Sequence, residues 1–513
     1  MDILVRSKYL ITDPSLKEAG IINNGGIYIS EGRIAEVGDF DSLKMKYPNV
    51  EIKGNGKQLA IPGIIDGHSH GQGLSYIQRG VLYDFLENSL IDWAFAPDID
   101  PELNTMLNAV RHIKNGCTTI HHNDWGNALD SKAMEKAEKK IRGYKKVGAR
   151  IAYSPGVRNM NTLAYDDIEF FKTLPSDLQD FARPMVFYDK SAAIEEYMEL
   201  FERLYHKYNN NNTRIIFGPS WVQGSTDEFL IRVKEKADKL GKLPIHIHTL
   251  QTPIQKAFGI RKYRKSLLAH LDDIGLVDEN LVLGHAVYLN ETDIELLAFH
   301  KASTTHHPSC NLAVRNGISP VYYLNKAGVN VSLGIDGKGI NDDEDCIMEL
   351  RMIYYLHRTS GFDLDSTPPL NSFDVLKMGT INAARVCGFD GELGSIKPGM
   401  KADIVLIDLN KIMDDPWQSP NLNIADIFIH RCKGSYVNTV IIGGEIIMEN
   451  RKIVTIDVEL LYKEVRKQIS KGLSKKQVRY AQRLQEIKPY LQKWYKNWTD
   501  LEYKSFYIMN SIK

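Results

Sequence analysis

The chain has 513 residues, with 64 Lys+Arg against 64 Asp+Glu and five cysteines. Its length passes the ~250–300 residues at which one core stops growing, so a large domain with a smaller companion is expected. The balanced charge offers no field for nucleic acid or an anionic membrane, leaving a small molecule as the expected partner.

Cys117, Cys310, Cys346, Cys387 and Cys432 are scattered and form no C-x-x-C pair, which argues against a disulfide framework or a thiolate zinc site. No run reaches the ~18 apolar residues of a membrane span, and MDILVRSKYLITD lacks the core of a signal peptide, so a cytoplasmic location is expected.

The first sixty residues alternate short β-type runs with turns: DILVRSKYLIT, GGIYISEGRIAEVGD and QLAIPGIID. From about Pro62 to Cys387, apolar runs alternate with amphipathic stretches, the pattern of repeated β-α units. Eight strands are read: AIPGIIDGHSH, CTTIHHND, RIAYSPGV, RIIFGPS, PIHIHTL, LVLGHAV, ASTTHHPS and VNVSLGID. Helices are predicted at SAAIEEYMELFERLYHKY, TDEFLIRVKEKADKLG, NETDIELLAFH, SPVYYLNKAG and DEDCIMELRMIYYLHR. Eight such units predict an α/β fold, a (β/α)8 TIM barrel over 61–387. Strand-rich SIKPGMKADIVLIDL and YVNTVIIGGEIIMENRKIVTI follow, and 388–456 is expected to join 1–60 in a small composite β-sandwich. The lysine-rich 457–513 is expected to be a helical extension packed on the barrel or on a neighbouring subunit.

Side chains alternate along a strand, so His68 and His70 of IPGIIDGHSH share a face and can grip one ion. His248, His285 and Asp336 close the fifth, sixth and eighth strands, whose ends converge in a barrel. Each alone is more often a packed histidine or a helix cap; together they point to a metal centre. Imidazoles with one carboxylate suit one divalent ion, Zn2+ or alternatively Fe2+, which lets a coordinated water ionise near neutral pH.

PGIIDGHSH, HIHTLQT, LGHAV, HHPSCN, LGIDG and GSIKPGMKADIVLID together resemble the amidohydrolase superfamily over nearly the whole chain. The order is most similar to the branch of cytosine and guanine deaminases and triazine chlorohydrolases. That resemblance implies a barrel with a composite β-sandwich and a dimer or larger homo-oligomer. It also implies His68, His70 and His248 as metal ligands, His285 as ligand or base, and Asp336 as ligand and proton shuttle. The implied activity is aminohydrolysis of a nitrogen heterocycle with release of ammonia or an amine.

Two departures bear on the substrate. Gln251 stands where H-x-x-E would place a glutamate, and an amide carries no proton. Cyclic-amide or carbon-halogen hydrolysis at the same site is therefore the first alternative, and a non-catalytic metal-binding descendant the second. Ser220 in GPSWVQ replaces the histidine of G-P-H, pointing away from adenosine-like nucleosides toward a smaller ligand. Trp221, Gln223 and Gln251 are candidate substrate contacts, as are His306 and Asn311 of HHPSCN, and His122 or Asp124 could replace the missing acid. At most one of each His-His pair faces inward. His246 shares the face of His248 but lies deeper, where a barrel-core role is expected. No lysine ends the fourth strand, which favours one metal, and phosphate loops and a G-x-S-x-G elbow are absent.

Overall fold

Each of the eight predicted segments contains a strand in the computed structural model, which describes residues 2–126, 129–359 and 370–499. The 500–513 part of the expected extension lies outside them. The strands are β1 Ile64–Ser69, β2 Cys117–Asn123, β3 Arg150–Ser154, β4 Thr213–Ile215, β5 Ile245–Thr249, β6 Leu281–His285, β7 Ser303–His306 and β8 Asn330–Leu333. They form two parallel sheets, β1-β2-β3-β4 and β5-β6-β7-β8. Isolated parallel bridges at the two junctions join Phe217 to Ile245 and Ser69 to Asp336. The strands are buried along almost their whole length, as expected of parallel strands covered on both faces.

Helices between them follow from local chemistry. Pro101–Lys114, after β1, starts on Asp100, whose side chain accepts from the Glu102 and Leu103 amides, with proline at its first position. Glu291–His300, after β6, opens with a reciprocal cap between Asn290 and Asp293.

The chain ends meet in a seven-stranded sheet, where Ile404–Asp408 runs antiparallel to Gln58–Pro62 with Ile404 opposite Pro62. A four-stranded sheet of Arg33–Asp39, Gly25–Ser30, Ile3–Arg6 and Glu51–Lys53 packs on it through Ile3, Ile27, Ile404 and Leu406. Arg150, at the start of β3, donates to both carboxylate oxygens of buried Asp403, at 2.8 and 2.9 Å. That fork ties the two parts together.

Two helices close the described chain, Val458–Ile469 and Lys475–Tyr495. The second buries Ala481, Leu484, Ile487, Leu491 and Tyr495, one helical stripe. It is fixed to helix Leu86–Asp92 by Lys488 on Asp92 (2.7 Å) and to the loop after β3 by the Tyr165 amide donating to the Tyr495 hydroxyl (2.8 Å). No described helix is long and apolar enough to cross a membrane.

Candidate metal centre

Alternation along β1 puts Asp66 and His68 on one face, with His70 just beyond the strand. Asp66 Oδ1 accepts from the His68 amide (3.1 Å) and the Ile335 amide (2.9 Å), while Oδ2 lies 3.0 Å from His112 Nε2. Burial alone lowers His112, but Asp66, Cys117 and Glu344 outweigh it and bring it up to about 9. The buried ion pair thus holds β1 against helix Pro101–Lys114, while the Ile335 amide ties it to the end of β8. Close approach there requires Gly67, because a Cβ would sit 2.3 Å from Ser332 Oγ. The Asp336 amide donates to the His68 carbonyl (2.7 Å), and the His70 amide to the Asp336 carbonyl (3.2 Å). Asp336 (φ 63°) and His285 (φ 70°) both occupy the left-handed region, a local cost tolerated where side chains must be aimed.

All five expected ligands converge. Asp336 Oδ1 lies 2.9 Å from His70 Nε2 and 3.6 Å from His68 Nε2, and Oδ2 lies 3.5 Å from His285 Nε2. His248 Nε2 is 3.4 Å from His70 Nε2. The Nδ1 atoms explain the orientation. His70 donates to the Asn123 carbonyl (2.7 Å), His248 to the Ser220 carbonyl (2.5 Å) and His285 to Asn311 Oδ1 (2.8 Å). Each leaves its Nε2 lone pair facing the centre. His68 Nδ1 lies 2.6 Å from His246 Nε2, which sits deeper among His68 and His121.

Facing lone pairs repel, and the buried Nε2 atoms of His68 and His285 have no hydrogen-bond partner. Ligands about 2.1 Å from one ion stand roughly 3.0–4.2 Å apart. The donor atoms fall in two compact groups that share His68, one with His70 and His248 and one with His285, His307 and Asp336, and each group fits a divalent ion. Burial pushes His68 and His248 well below the ordinary imidazole value and lowers His285. Burial alone raises Asp336, but His68 and His70 outweigh it and hold the carboxyl well below the usual range.

The other expected residues divide. Gln251 is buried and lines a narrow cavity of about 30 Å3 over the centre with His70, His248, His285 and Asp336. Asn311 orients His285. Trp221 is buried and lines a second cavity of about 380 Å3. Gln223 is turned away, its Nε2 on the Tyr165 hydroxyl (3.2 Å) and its carbonyl taken by Asn161.

His306 and His122 also fall on the far side of their strands. His306 lies 3.1 Å from His357 Nε2, whereas His307 reaches the centre, with Nδ1 3.1 Å from His285 Nδ1 and 3.6 Å from Asp336 Oδ2. Strand alternation explains this, since His307 and Thr305 share a face and are bonded at 2.8 Å. His122 is paired with the Tyr144 hydroxyl (2.9 Å), while His121 faces inward. Asp124 is held by Lys140 and Tyr153, and although burial would raise its carboxyl, the charge of Lys140 and the nearby His122 ring, 3.7 Å away, keep it far below the carboxylate range.

Sequence reasoning missed Trp125, whose ring lies 4.9 Å from His70 and 5.6 Å from His248. It also missed Cys310, whose Sγ donates to Asp336 Oδ2 at 3.0 Å, and Tyr76 and Tyr83 in the cavity wall. Only the placement of Cys310 in the HHPSCN motif could have signalled it.

A model of the amidohydrolase family matches residues 59–447. A 5-methylthioadenosine/S-adenosylhomocysteine deaminase from Caldanaerobacter subterraneus subsp. tengcongensis is 29% identical over 477 residues, 91% of this chain and 98% of the relative. A 5'-deoxyadenosine deaminase from Methanosarcina acetivorans is 27% identical over 472 residues, 91% and 97% of the two chains. Among solved structures, a zinc-bound adenosine deaminase from Xanthomonas campestris has a TM-score of 0.75 at 23% identity, over 92% of this chain and 98% of that one. An atrazine chlorohydrolase mutant from Arthrobacter aurescens, complexed with zinc and atraton, reaches 0.75 at 20% identity, over 91% and 100%.

Proposed function

Because the chain belongs to the amidohydrolase family, we propose that it is a metal-dependent aminohydrolase acting on a nitrogen heterocycle. The observation that carries this reading is the convergence of four imidazole Nε2 atoms and one carboxylate, two of those nitrogens buried without a hydrogen-bond partner. His68, His70, His248, His285 and Asp336 would hold one ion, zinc first and ferrous iron as the alternative. When bound, the ion supplies Lewis acidity that lets water ionise near neutral pH.

The residues of the chain supply the rest. Asp336, ionised, accepts the proton of the attacking water at a carboxylate oxygen and returns it to the leaving amine. His285 is fixed by Asn311, so that its Nε2 lone pair is presented to the ion's position. Trp125 covers His70 and His248 and excludes bulk water. Gln251 orients the ring through its amide. Deaminase-named relatives support the reaction class, and their nucleoside names favour a larger substrate than Ser220 alone suggests.

The two parallel sheets are proposed to close as one (β/α)8 barrel over 61–387, supported by the bridges at both junctions. The pairing of Ile404–Asp408 with Gln58–Pro62 supports a second unit from 1–60 and 388–456, with 457–513 as an extension.

Gln251 in the cavity favours a second reading, hydrolysis of a cyclic amide or carbon-halogen bond, where the leaving group needs less protonation. A product assay over purines, pterins, triazines, pyrimidines and cyclic ureas separates the two. Ammonia or amine release supports the aminohydrolase, and turnover without either removes it.

A further inference from the structure

Beneath the five converging side chains the barrel core carries a second layer of imidazoles. His246 of β5 and His121 of β2 are fully buried, with ring centroids 4.5 Å apart. Their neighbours fix where the ring protons sit. His121 Nδ1 lies 2.9 Å from the Gly67 carbonyl, which can only accept, so this nitrogen carries the proton and donates. His121 Nε2 then accepts from the Ser154 hydroxyl at 2.9 Å. Both nitrogens of His121 are thereby engaged, and neither is left for His246.

His246 Nε2 lies 2.6 Å from His68 Nδ1, and its own Nδ1 is buried without a hydrogen-bond partner among the described residues. The ring is thus bonded to His68 alone. An orphaned buried polar atom costs about 1–3 kcal/mol, so an apolar side chain would fill this space at lower cost if filling space were the purpose. For His68 to present a lone pair at Nε2, its proton must sit on Nδ1, and the acceptor there is His246. The other three converging imidazoles have oxygen acceptors at Nδ1, on Asn123, Ser220 and Asn311.

We propose that His246 is a positioning residue for the metal centre. By accepting the Nδ1 proton of His68 it selects the tautomer whose Nε2 lone pair faces the ion, and it keeps its own proton on the orphaned Nδ1. The inference rests on the reading of His68 as a metal ligand but not on the reaction assigned to the site.

The test is a competitive chelator titration of zinc on the full-length protein. His246→Leu removes the acceptor and should weaken zinc binding about 10- to 100-fold, and His246→Gln, whose amide oxygen can accept the same proton, should recover most of that loss. Zinc affinity within about twofold of wild type in folded His246→Leu, or equal losses in the two variants, overturns the proposal. The wild type gives a second reading that needs no variant. In zinc-loaded protein isotopically labelled at its histidine nitrogens, long-range nitrogen-proton spectra should show His68 and His246 both protonated at Nδ1, and a His246 ring protonated at Nε2 overturns the proposal. A wild type that takes up no stoichiometric zinc overturns the metal-centre reading and this proposal with it, whereas the other adverse results overturn the proposal alone.

Discussion

Asn311→Leu probes how the centre is held. Asn311 is fully buried, and its Oδ1 at 2.8 Å is the oxygen acceptor for His285 Nδ1. Leucine is close in size but removes that acceptor, leaving His285 Nδ1 with only the nitrogen of His307 at 3.1 Å. Losing the partner of a buried donor costs about 1–3 kcal/mol. Outer-shell partners of metal-binding histidines are worth about 10- to 100-fold in affinity, or roughly 1.4–2.7 kcal/mol, the same range by a separate route. Zinc affinity should therefore fall by about that factor in a competitive chelator titration, with far-UV circular dichroism unchanged. A folded variant binding zinc within about twofold of wild type would refute the argument that side-chain orientation of His285 by Asn311 maintains the site.

Three further outcomes are expected. Gln251→Glu restores a proton donor beside the centre and should raise ammonia release from aminopurines about tenfold or more; unchanged kcat with intact metal content would show that the missing acid does not limit turnover. Burial raises Glu87 to about 7 from an ordinary 4.5, so the folded chain holds a proton that the unfolded chain has released. Its contribution to stability is fully present below about 4.5 and is lost as pH rises through about 7, roughly 3 kcal/mol in all. Urea melts of Glu87→Gln should lose less stability than wild type between those pH values, and parallel curves would contradict this. His112→Ala leaves Asp66 buried without its cation and should cost about 3–5 kcal/mol in denaturant unfolding, a claim undone by a loss below about 1 kcal/mol.

The strand order and the convergence of the five proposed ligands were legible because they obey short-range rules. Period-two alternation sets His68 and His70 side by side, and strand ends in a repeated β-α chain gather His248, His285 and Asp336. What failed was phase. Whether His121 or His122, and His306 or His307, turns inward depends on where each strand hands over to its loop, which the dipeptide HH leaves open. Gln223 failed for a related reason: after β4 the chain turns through a short 3-10 segment, Val222–Gly224, so spacing no longer predicts direction. The C-terminal helix was predicted as a helix, but its place against helix Leu86–Asp92 and the loop after β3 is set by contacts between residues more than 300 positions apart, such as Tyr165 with Tyr495.

X-ray absorption on the zinc-loaded protein tests the central claim most directly. One ion per chain with nitrogen and oxygen neighbours at about 2.0–2.2 Å is the expected spectrum. A sulfur shell near 2.3 Å, as if Cys310 rather than the histidines held the ion, or the absence of a stoichiometric metal, would contradict it.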